Sequence, residues 1–130
     1  MPKTLSEKLQ FKEGQTIVAL NVPEGLEDFL EPLPLRLKIM NDVAKNIDGV
    51  FLFVHNTTEL STWAPRVLSA VDGDRLLWIA YPKKSGRIKT DMSRDVGWGI
   101  IGEAGYRGVS QVAVDDDWSA LRFRKDTYIK

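Results

Sequence analysis

The chain has no cysteine in its 130 residues. That excludes disulfides, thiol nucleophiles and cysteine-ligated zinc, and it suits a reducing, cytoplasmic setting. There is a single histidine, His55, so no transition-metal centre built on imidazole is expected. Neither sign of charge is in excess: 18 basic and 18 acidic side chains cancel, and no global field draws the chain to nucleic acid or an anionic membrane. No apolar run approaches the roughly 20 residues that cross a bilayer. The segment Met1 to Leu9 carries charges where a signal peptide needs its apolar stretch. No serine sits in a nucleophile elbow, and no carboxylate pair is placed for hydrolysis. These absences predict one cytoplasmic domain over 1–130 that binds neither nucleic acid nor membrane.

What is present is ordinary for a packed domain, with 43% hydrophobic and 28% charged residues. The run Leu76-Leu77-Trp78-Ile79-Ala80-Tyr81 is apolar without alternation and ends in Pro82-Lys83-Lys84-Ser85-Gly86. Such a run reads as a strand buried on both faces of a parallel sheet. Thr16 to Asn21 and Gly49 to His55 read the same way. Asn21 is placed as the N-cap of a helix that follows, with Pro23 in its first turn. Leu33, Leu35, Leu37 and Ile39 alternate with polar residues and Pro34, which predicts an edge strand.

Leu60, Trp63, Ala64, Val67, Leu68 and Val71 recur at helical spacing. Thr57 and Thr58 are candidate caps, and Pro65 predicts a late start near Ser61 or Thr62, or a bend there. Asp91 or Ser93 is expected to cap a further helix that runs to Ala104 and stops at Gly105. Strands are predicted over 109–114 and 118–124, joined by Asp115-Asp116-Asp117, a turn short enough to require an antiparallel hairpin.

Parallel strands with crossover helices and a terminal antiparallel hairpin resemble S-adenosylmethionine-dependent methyltransferases. The segment Pro65 to Ile79 looks like the helix, turn and strand in the second half of that fold. The strings Leu77 to Ser85 and Asp117 to Arg124 also resemble a family of small bacterial proteins catalogued as a domain of unknown function. The methyltransferase resemblance implies an α/β, three-layer Rossmann-like sandwich. Its mostly parallel six-stranded sheet would have the order second, first, third, fourth, sixth, fifth. In that family a glycine-rich loop after the first strand lets backbone approach the cofactor. The corresponding stretch here, Asn21-Val22-Pro23-Glu24-Gly25, has one glycine and a proline. The family's ribose-binding acid after the second strand maps to Asp42. These departures predict a reduced relative without a cofactor, S-adenosylmethionine lacking its glycine-rich loop.

Ligands of open α/β sheets gather beyond the carboxyl ends of the strands. The candidate ligand residues are therefore Asn21, Glu24, Gly25, Asp42, His55, Asn56, Lys83, Lys84 and Ser85. The basic turn, which also contains Arg87 and Lys89, suits a phosphate or carboxylate. His55 has the residue type of a general base near neutral pH, although a lone histidine at a strand end is more often structural. Asp115 to Asp117 are expected to bond their own turn rather than a cation. Trp98 lies off its helix's apolar stripe and is expected to face a partner or pocket. The resulting expectation is a non-catalytic domain that binds a small anionic ligand or a protein partner, with a homo-oligomer through the second strand as one form. The alternative is a methyltransferase with a divergent cofactor loop.

Overall fold

Residues 8, 9, 11, 14–24, 26, 38–40, 47–71, 75–83, 86–93 and 96–128 are described in the computed structural model of the chain. Six strands form one sheet: β1 (Thr16–Leu20), β2 (Lys38–Met40), β3 (Gly49–Phe53), β4 (Leu76–Pro82), β5 (Tyr106–Ala113) and β6 (Trp118–Lys125). Their order is β2-β1-β3-β4-β6-β5, the order implied by the methyltransferase resemblance. β1 is parallel to β2 and β3, and β3 to β4. β6 is antiparallel to both β4 and β5.

The unbroken apolar runs have a direct packing consequence. Successive side chains of a strand point to opposite faces, so a strand covered on both sides must be apolar at every position. Val50, Leu52, Leu77, Ile79 and Leu121 enter one core. Phe51, Phe53, Trp78, Ala80 and Ala120 enter the other. The first core is roofed by helix α1 (Thr57–Ala70), which buries Leu60, Ala64 and Val67, and by the short helix α2 (Gly99–Glu103) through Ile101. The second is covered by Leu9 and Phe11, with Val22, Leu26 and Ile88 packed against it. The Trp78 indole N–H donates to the Leu9 carbonyl at 3.0 Å in a buried contact, tying the amino-terminal segment to the sheet. The helix expected after β1 lies mostly outside the described residues, as does the strand from Leu33 up to β2.

β3 runs between β1 and β4 at close quarters. Gly49 is paired with Ile17 on one side and Leu76 on the other. A Cβ there would sit 2.8 Å from Leu76 Cβ and 2.9 Å from the Leu76 carbonyl oxygen.

Several local expectations are corrected. α1 begins at Thr57, with Asn56 as its N-cap, and carries Pro65 in its interior. The cap outweighs the proline because its bonds are numerous. Asn56 Oδ1 accepts the Glu59 N–H at 2.9 Å, and Asp91 accepts the Thr57 N–H and hydroxyl at 3.0 and 2.6 Å. Asp91 thus serves α1, not the following helix. α2 has only five residues, because the glycines at 97, 99 and 102 lower helical stability. Gly105 ends it in the left-handed region, with φ of 91°, as expected. β5 starts at Tyr106, since pairing with β6 extends it past a register shift between Gly108 and Ser110. Trp98 lines a pocket with Tyr106 and Gln111, as expected, and is half-buried against the first core, in a T-shaped contact with Tyr81 and a tilted one with Phe123, its indole N–H donating to the Ser93 carbonyl at 2.8 Å.

Candidate functional site

The parallel strands β1, β3 and β4 end on one edge of the sheet, where the following residues turn away. Asn21 follows β1 in the left-handed region, with φ of 56°. Asparagine tolerates that conformation better than most side chains, and it permits the sharp turn otherwise assigned to glycine. Its amide nitrogen donates to the Phe53 carbonyl at 2.8 Å and to Glu59 Oε1 at 3.1 Å, stitching the end of β1 to the end of β3. Asn21 is therefore engaged with Phe53 and Glu59, a different use from the N-cap expected of it.

After β3, His55 and Asn56 lead into α1. Glu59, one turn into the helix, accepts the His55 N–H at 2.8 Å, and the His55 ring nitrogen Nδ1 lies 2.9 Å from the same Oε1. Asn56 and Glu59 together form a reciprocal bracket at the helix start, close to a capping box. Burial pushes the Glu59 carboxyl up, but the bonds from the His55 ring, the His55 backbone and Asn21 outweigh it. They hold Glu59 below its ordinary value, and hence ionised. The carboxylate favours the tautomer with the proton on Nδ1, which leaves Nε2 as an acceptor. The imidazole edge also packs on Trp118, with ring centroids 5.1 Å apart.

After β4, Lys83 and Arg87 bond to Asp117 of the acidic hairpin turn. Lys83 N–H donates to the Asp117 carbonyl at 2.8 Å and Gly86 N–H to the Lys83 carbonyl at 3.0 Å. Arg87 donates its backbone N–H to Asp117 Oδ1 at 3.0 Å and Nη2 to Oδ2 at 2.9 Å. The Asp117 carboxylate bonded to Arg87 raises the guanidinium's pKa, and the same bond holds Asp117 below its ordinary value. Asp115 accepts the Asp117 and Trp118 N–H groups, both at 2.8 Å, bonding its own turn as expected. The backbone N–H groups of Lys83, Gly86 and Arg87 and the Arg87 guanidinium are thus engaged within these turns. Gly25, Asp42, Lys84 and Ser85 lie outside the described residues.

Between these turns is a cleft of about 470 Å³. Leu26, Ile88 and Trp118 give it an apolar wall; Glu24, Asp115 and Asp117 contribute carboxylates, with His55 and Arg87 beside them. Of the expected ligand residues, the structure gathers Glu24 and His55 here, and sets Asn21 and Asn56 behind them in the network around Glu59. Glu59, Asp117 and Trp118 were missed as site residues. The signal for Glu59 was present as Asn56-x-x-Glu59, the spacing of a cap bracket. Asp117 and Trp118 come from a distant hairpin and had no local signal. Among the described residues no cluster of histidine, aspartate and glutamate is arranged to hold a metal ion. No helix among them is long and apolar enough to cross a membrane.

No protein-family model matches the chain, and no curated protein matches it by sequence. Solved structures do match in fold. A SAM-dependent methyltransferase from Aquifex aeolicus superposes with a TM-score of 0.59 at 15% identity, covering 90% of this chain and 85% of that one. Magnesium protoporphyrin IX methyltransferase from Synechocystis, with S-adenosylhomocysteine bound, gives 0.59 at 12% identity over 94% of this chain and 78% of that one. A protein of the NADB-Rossmann superfamily from Streptococcus agalactiae gives 0.54 at 9% identity over 96% and 68%. These likenesses overturn the expectation of no cofactor, which rested on the missing glycine-rich loop. The Synechocystis methyltransferase of this fold is solved with S-adenosylhomocysteine and with S-adenosylmethionine bound, and in the present chain the turn after β1 is made by Asn21 without that motif. The chain has a methyltransferase-like Rossmann fold.

Proposed function

We propose that the chain is an S-adenosylmethionine-dependent methyltransferase with a divergent cofactor loop, and that the cleft at the carboxyl ends of β1, β3 and β4 takes the cofactor. The observation that carries this reading is the cleft itself, lying where open α/β sheets hold their ligands. Its residues fit such a molecule. The volume falls in the range of about 300–1,000 Å³ typical of small-molecule sites. Leu26 and Ile88 offer apolar surface to an adenine ring. Glu24 and Asp115 offer carboxylates to ribose hydroxyls and to the positive ammonium and sulfonium groups. Arg87 stands beside them for a carboxylate, although Asp117 already engages it. When bound, S-adenosylmethionine supplies an electrophilic methyl group on a sulfonium. The apolar wall and the hydrogen-bonded turn of 115–117 would exclude water from that group.

Thermal unfolding with S-adenosylmethionine and S-adenosylhomocysteine tests the reading. At about 100 times the dissociation constant a ligand adds roughly 2.7 kcal/mol of stability. For a domain of this size that raises Tm by on the order of 10 °C. No shift with either compound at millimolar concentration would refute it.

A further inference from the structure

We infer that His55, held by Glu59, is the proton acceptor for a methyl-accepting hydroxyl or amine bound in this cleft, an inference that rests on the methyltransferase reading above. A cap bracket at the start of α1 requires only that Glu59 meet backbone N–H groups. Here the same oxygen, Oε1, also takes the His55 ring at Nδ1, so the carboxylate orients an imidazole that lines the cleft. Asn21 binds that oxygen as well and fixes its position from β1. Trp118 braces the ring from the hairpin side at near-perpendicular geometry, 78° between planes. His55 is thus held by contacts from α1 and β6, and none of the described residues hydrogen-bonds Nε2. Among the described residues, the charged groups around the cleft are Glu59 on α1, Glu24 after β1, Arg87 after β4, and Asp115 and Asp117 on the hairpin turn.

In the step proposed, a lone pair of the acceptor's oxygen or nitrogen forms the bond to the methyl carbon. The carbon–sulfur bond breaks and its electron pair stays on sulfur, leaving a neutral thioether. The acceptor's proton passes to His55 Nε2, Glu59 balances the imidazolium, and the proton then leaves to solvent. Glu59 acts as a positioning residue; His55 touches the acceptor.

Because His55 is the only histidine, its ring signals need no assignment. Nitrogen-15 spectra of the labelled protein, with and without S-adenosylmethionine carrying a carbon-13 methyl group, are the test. The expected result is a ring whose tautomer carries its proton on Nδ1, a nuclear Overhauser effect from the labelled methyl to the ring, and loss of the tautomer preference in Glu59→Gln. A ring protonated at Nε2, or a bound cofactor with no methyl-to-ring effect, overturns the inference and leaves the methyltransferase reading standing. Failure of S-adenosylmethionine to bind, read from the thermal assay, overturns both.

Discussion

Gly49→Ala adds one methyl group at the most crowded of the described glycines. The new Cβ would lie 2.8 Å from Leu76 Cβ, 2.9 Å from the Leu76 carbonyl oxygen and 3.2 Å from Ile17 Cδ1. Ordinary carbon contacts are about 3.5–4.0 Å, so β3 and β4 would have to part by about 0.7 Å. The obstacle is backbone on one side and a buried side chain on the other, and β3 is paired on both edges. Alanine recovers about 0.5–1 kcal/mol of the entropy that glycine loses in a strand. Overpacking of this kind costs about 1–3 kcal/mol, so a net loss of about 1–2 kcal/mol is expected. Urea unfolding followed by circular dichroism would place the midpoint lower by about 0.5–1 M. Gly102→Ala is the matched control, since a Cβ there meets nothing within 4 Å and the residue is helical. It should be neutral or stabilising by up to about 1 kcal/mol. A Gly49→Ala midpoint at or above the parent value, or equal losses in both variants, would refute the packing argument.

Asn56→Ala removes the side chain that caps Glu59 N–H and should cost about 1 kcal/mol, with Asn56→Asp close to the parent; equal midpoints for alanine and asparagine would contradict the cap. Trp78→Phe leaves the buried Leu9 carbonyl without its indole donor, at about 1–3 kcal/mol. Tryptic cleavage after Lys8 should quicken in that variant, and an unchanged cleavage rate would argue against the tie. Glu59 has its carboxyl held below its ordinary value, so the stability it contributes is present above its unfolded value near 4.5 and is lost as pH falls through the lower folded value. Asp91 and Asp117 act in the same direction through Thr57 and Arg87. Glu59→Gln should therefore flatten, without abolishing, the fall of Tm between about pH 6 and pH 3. Superimposable pH profiles would count against that role for Glu59.

By itself the sequence determined the interior strands of the sheet. A strand covered on both faces has no wet side, so Thr16 to Leu20, Gly49 to Phe53 and Leu76 to Tyr81 could be read as interior strands from apolar continuity alone. The three-aspartate turn required β5 and β6 to pair antiparallel, because three residues cannot make a parallel crossover. The site was only half legible for the same reason of range. Strand ends pointed to Asn21, His55 and Lys83, and the spacing from Asn56 to Glu59 was a local signal within one helical turn. What only the tertiary structure decided came from residues far apart along the chain: Asp91 clasping the start of α1, Asp117 engaging Arg87, and Trp118 bracing His55. A hydrogen-bond partner across 30 or more positions leaves no periodicity in sequence, and the pairing of Arg87 with Asp117 forms one wall of the cleft.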